Sequence, residues 1–464
     1  MAEMVTALVL VACVGVSVLA LVRGWSPPLM VSVGIGLGLR ILVVYLAYGH
    51  TPYDVAVVFH QVGRSVLDRE DPLATLPRYQ WNFLPFSAYL LAAELKTGLP
   101  WEVAVKLLPV SCDVATIGLL GRFARPPVRG NAQLIYALLP LAILVSAWHG
   151  QIEPIAIALG LSALLLARQR RVLWAGIALG LSIASKTWPV LFAPGVLSDI
   201  PRTRWWQAAA AAVAVIAALL ASIRLFLHDS LRHAVQVIIN YRSFVGSWGW
   251  TGVLRYLHLA DAGYTGPRVN EFQHLGTLLT VVTVAVVLLV FRRCSAPDLT
   301  LALILAFLAI TAGFGPQYLL WPAALLCVSR RPAGYVYLFL ASAYTGFFYL
   351  YAFPNHESLN SWPGALLQVG SILLIAAAIA SMPWSELRLS EGRSAETLVR
   401  QAVLSGQTPA ARVLDVVSED GRGLGMVAII AHRWGELGDK HSRAMSFAAT
   451  RARAWSRSRP TVAV

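Results

Sequence analysis

The feature that most constrains this chain is a succession of apolar runs, each long enough to lie in lipid and each closed by a short polar turn. The clear runs fall at about 4–22, 28–48, 103–122, 131–147, 152–167, 207–227, 275–291, 298–313, 317–328, 333–351 and 363–381. A crossing takes about 20 apolar residues, and in hydrocarbon the backbone must satisfy its own N–H and C=O groups. The sequence therefore predicts an all-α polytopic membrane protein. Composition agrees: 57% of residues are hydrophobic, 13% are charged, and the mean hydropathy is +0.65. Before residue 382 there is no stretch long enough for a soluble domain.

Charge orients the runs. A net charge of +14 suits nucleic acid in a soluble protein, but here the arginines sit in short turns and in the tail. That is the pattern by which positive loops stay cytoplasmic, so no nucleic-acid partner is expected. The stretch 84–95 is apolar but short. If it lies along the surface or re-enters, the Arg-rich turns 122–129, 168–171, 202–204, 292–293 and 330–331 all fall inside. The expected bundle then has about thirteen transmembrane segments over residues 1–381, with the N-terminus outside and a retained first helix. The first outer loop is 49–102. Residues 382–464 form a short, basic, cytoplasmic tail, with helical spacing at 396–417 suited to anionic lipid; disorder is the alternative for its last part. Cys13, Cys112, Cys294 and Cys327 are scattered, so neither a disulfide framework nor a zinc site is indicated.

Against this apolar background the polar residues carry the functional signal. His149-Gly150-Gln151-Ile152-Glu153-Pro154 interrupts two apolar runs; the plain alternative is a wet turn at the interface. Asp54 follows the second run closely, where a carboxylate can face a cleft or simply be one of several solvated loop acids. Lys186, in Ser185-Lys186-Thr187-Trp188-Pro189, separates two segments (172–186 and 188–198) too short to cross upright, which predicts a broken or hairpin pair. Its ammonium snorkels, holds a lipid phosphate near the headgroups, or pairs with Glu153 on another outer turn. Phe314-Gly315-Pro316-Gln317-Tyr318 is another broken apex, and His356-Glu357 is a weaker one. With the predicted topology all of these fall on the outer side. A carboxylate there can take a proton from an acceptor hydroxyl, while a cation steadies a departing lipid phosphate and amide or aromatic groups hold a sugar. No Gly-rich phosphate loop or acidic metal pair is present; Gly34, Gly36 and Gly38 sit inside an apolar run as packing residues.

At these residues the chain resembles the membrane-embedded GT-C glycosyltransferases that use lipid-linked sugars. The nearest likeness is to polyprenyl-phosphate-mannose users of the GPI mannosyltransferase I type. The similar stretches are Tyr53-Asp54, Leu108-Pro109-Val110-Ser111-Cys112-Asp113, Gly150-Gln151-Ile152-Glu153, Ser185-Lys186-Thr187-Trp188-Pro189 and Phe314-Gly315-Pro316-Gln317-Tyr318-Leu319-Leu320-Trp321, in that order within about 28–330. Each is short; their order is what makes them specific. The resemblance implies an inverting glycosyltransferase, expected to be a mannosyltransferase of the cell membrane with an extracytoplasmic site. Its donor would be a polyprenyl-phosphate sugar and its acceptor a glycolipid or glycan. It implies Asp54 as the catalytic base and Gln151, Glu153, Lys186, Trp188, Gln317 and Tyr318 as substrate-binding residues; the polar outliers His149 and His356, read from the residues alone, are added to that set. That family's first loop resembles an Asp-x-Asp, whereas Pro52 stands here at the first acidic position. A divalent metal is therefore not indicated, no other cofactor is implied, and the base function rests on Asp54 alone. Two other classes fit the hydropathy: a transporter or flippase of a lipid-linked or polar solute, and a non-catalytic assembly subunit. Against the transporter, no internal repeat is visible and the polar residues gather at one face.

Overall fold

A computed structural model describes residues 1–77, 80–227, 230–240 and 244–386. The readings made for residues 387–464 of the tail lie outside the described residues. The described part is helical, with isolated bridges from Val245 to Gly263 and to Gly313. In chain order the helices that frame the site are α1 (Ala2–Arg23), α2 (Leu29–Leu46), α3 (His60–Leu67), α4 (Pro85–Leu95), α5 (Leu107–Phe123), α6 (Arg129–Leu138) and α7 (Glu153–Arg168). They continue with α8 (Val172–Ser185), α9 (Trp205–Phe226), α10 (Gly249–Tyr256), α11 (Pro267–Phe291), α12 (Ala296–Ile310), α13 (Pro332–Phe347) and α14 (Trp362–Ser381).

Among the described residues, seven helices are long and apolar enough to cross a membrane. The bent pair Arg129–Leu138 and Pro140–His149, with 50° between its halves, makes an eighth if counted as one span. This is a polytopic helical membrane protein. The length criterion falls short of thirteen crossings because several apolar runs form shorter helices; α7, at 16 residues, reaches only about 24 Å. Some of the long helices are peripheral: the apolar windows of α1, α9 and α11 are 28%, 17% and 17% buried, so most of their surface is left for lipid. The short helices form the centre, and α7 is buried along nearly all of its length.

Local chemistry explains the breaks. Gly24 closes α1 in the left-handed region, its N–H returning to Ala20 O, while Asn131 Nδ2 donates to Ala20 O and Trp25 O and ties that turn to α6. Pro140 cannot continue the hydrogen-bond ladder of α6, and the next amide, Leu141 N, donates to Ser342 Oγ at 3.3 Å. A charged cluster crosses the apolar interior. Arg40, wholly buried on α2, places Nε 2.7 Å from Asp113 Oδ2 and donates through Nη1 to Gly36 O and Ala137 O. Asp113 also accepts from Tyr136 OH and Ser146 Oγ. Such a pair survives in lipid because each charge is matched and hydrogen-bonded.

Candidate active site

Three wide π-helical turns converge at one end of the bundle: Asp54–Phe59, Leu144–His149 and Phe348–Ala352. Such turns are uncommon and occur often at functional sites. The first begins with Asp54, the second ends with His149, and the third carries Tyr349. His149 Nε2 lies 3.0 Å from each carboxylate oxygen of Asp54, and Gln151 Nε2 donates to Asp54 Oδ2 at 2.7 Å. An ionised carboxylate only accepts, so the His149 proton facing it sits on Nε2. The Tyr349 ring meets the imidazole edge to face, centroids 4.6 Å apart. Gly150 makes this arrangement possible: its φ is +84°, and a Cβ would meet Lys106 Cγ at 3.0 Å.

Asp54 is 43% exposed while His149 is 6% exposed, so the carboxylate is the accessible member of the pair. Desolvation by the cavity wall opposes its ionisation, but the His149 charge and hydrogen bond, then the Val55 amide and the Lys186 charge, outweigh it. The carboxyl is held below the ordinary aspartate range, ionised and ready to accept a proton at neutral pH.

The cavity into which Asp54 opens has a volume of about 560 Å³, within the range of small-molecule sites. Of the residues expected at the site, Asp54, His149, Gln151, Lys186, Gln317 and Tyr318 line this one cavity. Lys186 stands where α8 ends, its backbone extended (φ −153°, ψ 151°). Ser87 Oγ, from α4, donates to the freed Ser185 O at 2.6 Å. The break expected here is therefore present, with its exposed backbone satisfied from a neighbouring element.

Three expected site residues lie elsewhere. Glu153 is fully buried behind the wall, where Oε1 pairs with Lys186 Nζ at 2.5 Å; a carboxylate there neutralises the lysine instead of meeting a ligand. Trp188 packs flat on Trp321, centroids 4.2 Å apart, and Trp321 in turn stacks on Tyr318. The indole thus backs the ring that lines the cavity. His356 is exposed in the turn after the third π-helical stretch, with φ +52°, and is not among the lining residues.

The sequence reading missed other contributors. Phe83 offers its ring to Lys186 Nζ at 5.0 Å, and Tyr344 and Tyr349 add aromatic wall. Arg255, on α10, lines the same cavity; α10 lies in what reads from hydropathy as a long polar loop, so nothing in sequence distinguishes this arginine. The segment around it closes on the 313–314 apex: Phe314 N donates to Phe244 O, and Trp248 stacks on Phe314 at 3.9 Å.

An ionised carboxylate oriented by an imidazole and an amide, beside aromatic rings at a membrane-protein cavity, can deprotonate a hydroxyl held there. Comparison with known proteins agrees with that chemistry. No curated protein matches the chain. Residues 81–315, more than half of the sequence, match the family described as Glycosyltransferase family 87. The match contains His149, Gln151, Lys186, Arg255 and Phe314, and it begins after Asp54. It supports transfer of a sugar without specifying the narrower mannosyltransferase type that the motifs resemble. This polytopic helical membrane protein belongs to glycosyltransferase family 87.

Proposed function

We propose that the chain is an inverting glycosyltransferase that moves a sugar, mannose in our reading, from a polyprenyl-phosphate donor to a glycolipid or glycan acceptor outside the cytoplasmic membrane. The observation that carries the reading is the Asp54 carboxylate: ionised, hydrogen-bonded by His149 and Gln151, and open to a cavity lined by aromatic rings. In the reaction, the acceptor oxygen attacks the anomeric carbon as Asp54 takes its proton. The bond from that carbon to the phosphate oxygen breaks, and the electron pair leaves with the lipid phosphate. Attack from the face opposite the leaving group inverts the anomeric centre. Gln151 and His149 hold the base in place, while Gln317 and Tyr318 offer an amide and a phenol to sugar hydroxyls.

The short central helices α7, α8 and α12 count as crossings in the thirteen-segment arrangement, which puts the cavity outside and the Arg-rich turns inside. What supports this is the match between those turns and the positive-inside pattern.

The test is transfer from labelled polyprenyl-phosphate mannose by membranes carrying the full chain. Asp54→Asn should retain folding and slow turnover by about 10² to 10⁴, the usual contribution of a general base. Wild-type rates in this variant would remove the base assignment. Uptake of solute with no glycosylated product would favour a transporter.

A further inference from the structure

The cavity holds two cations, and their surroundings differ. Lys186 has its counter-charge in Glu153. Arg255 has none: Nη1 donates to the neutral Asn360 Oδ1 at 2.8 Å and Nη2 to Leu359 O at 3.2 Å. Its Nε is buried and has no partner, and among the described residues no carboxylate lies within ion-pair distance of it. The two acceptors belong to the turn just ahead of α14, whose N-cap Ser361 accepts from Gly364 N. A helix N-terminus carries partial positive charge, so it repels a guanidinium instead of stabilising it. Gly364, in that first turn, lies beside Arg255 at the cavity wall. Arg255 thus lines the cavity with no counter-charge of its own.

We propose that Arg255 is an anion subsite that takes the phosphate of a lipid substrate, and that Lys186 is a neutralised wall residue. The proposal rests on the reading of the cavity as one that handles lipid-linked sugars. It also gives the reaction its charge balance. When the acceptor proton moves to Asp54, that carboxylate loses its charge, and the phosphate gains one as the sugar–oxygen bond breaks. The fixed guanidinium then faces the group whose negative charge is growing. Arginine suits this role because its planar fork can meet two phosphate oxygens at once.

The test uses the full chain in nanodiscs and measures binding of polyprenyl phosphate against neutral polyprenol, and of phosphatidylinositol against diacylglycerol. The wild type should prefer a phosphate-bearing lipid. Arg255→Gln should reduce that preference by about 10- to 100-fold, the worth of a hydrogen bond to a charged group, and Arg255→Lys should restore part of it. Lys186→Met should leave the preference in place. Loss confined to polyprenyl phosphate assigns the subsite to the donor, and loss confined to phosphatidylinositol assigns it to an anionic acceptor lipid. Preference unchanged in Arg255→Gln, or lost in Lys186→Met alone, overturns the proposal, as does a wild type that prefers neither phosphate lipid. Melting temperature is read alongside, since Arg255 also anchors the 359–360 turn; a destabilised Arg255→Gln with an intact preference counts against the subsite. Arg255-dependent binding of polyprenyl phosphate with no sugar transferred would instead refute the proposed reaction and keep the subsite.

Discussion

Removing one member of the Lys186–Glu153 pair should destabilise the protein far more than removing both. Glu153 is 0% and Lys186 6% exposed, with 2.5 Å between Nζ and Oε1. Stripping one partner from a buried pair leaves an uncompensated charge, at a cost of about 3–5 kcal/mol. The two single variants differ. In Glu153→Gln the ammonium keeps the Phe83 ring at 5.0 Å, worth about 0.5–2 kcal/mol, which puts this variant near the lower end of that range. In Lys186→Met the carboxylate loses its one hydrogen bond, since Glu153 Oε2 already has no partner, which puts it near the upper end. The double variant carries no buried charge and should lose only about 1–2 kcal/mol of packing and residual polarity. At about 2 °C per kcal/mol for a large domain, the single variants should melt roughly 6 and 10 °C below wild type and the double variant within about 4 °C of it. Thermal denaturation of the purified protein in detergent, arranged as a double-mutant cycle, gives the numbers. Additive losses, or a Lys186→Met variant as stable as wild type, would refute the pairing.

Two predictions address the site and its orientation. His149→Gln should move the acid limb of the kcat/KM profile to higher pH. His149 holds the Asp54 carboxyl low, so the wild-type base stays ionised to lower pH and loses its function only as pH falls through that depressed value; an acid limb that stays where it was would show that Asp54 is not the titrating base. Cysteines placed at the exposed positions Ser358 and Gln169 should differ in intact cells: an impermeant reagent should reach the first and not the second. Labelling at Gln169 would reverse the orientation and bring the cavity inside.

Much of the site was legible because lipid makes polar residues conspicuous. Asp54, His149, Gln151, Lys186, Gln317 and Tyr318 each interrupt or closely follow an apolar run, and the cavity gathers all six. The same contrast hides a residue in polar surroundings, which is why Arg255 could not be singled out within the 228–274 loop. It also hides a single charge inside a long run: Arg40 is averaged away among its neighbours, although it anchors the interior. Glu153 could be named as a partner for Lys186 because both lie on outer turns, but spacing along a helix does not reveal which side of a turn a carboxylate takes, so its place behind the wall was not legible. Trp188 and His356 do not line the cavity, for the opposite reason. A tryptophan beside a broken apex is as well suited to stacking on Trp321 as to touching a sugar, and a histidine in an exposed turn is not drawn inward by any neighbour.

The Arg40–Asp113 cluster has a consequence for how the protein is made. The second apolar run leaves the ribosome carrying a charge in its middle, and its partner lies 73 residues further on, with the carbonyl of Ala137 at 97. At about 5–20 residues per second, the guanidinium waits roughly 4–15 s for Asp113 to be synthesised. An unpaired arginine inside a transmembrane helix costs about 2.5–3.5 kcal/mol on insertion scales, a penalty the second run carries until α5 and α6 arrive and enclose it. The contacts that relieve it reach as far as Ser146, and the segment that completes them is the one that ends in His149. Neutralising the second run and assembling the wall behind Asp54 thus draw on the same segment.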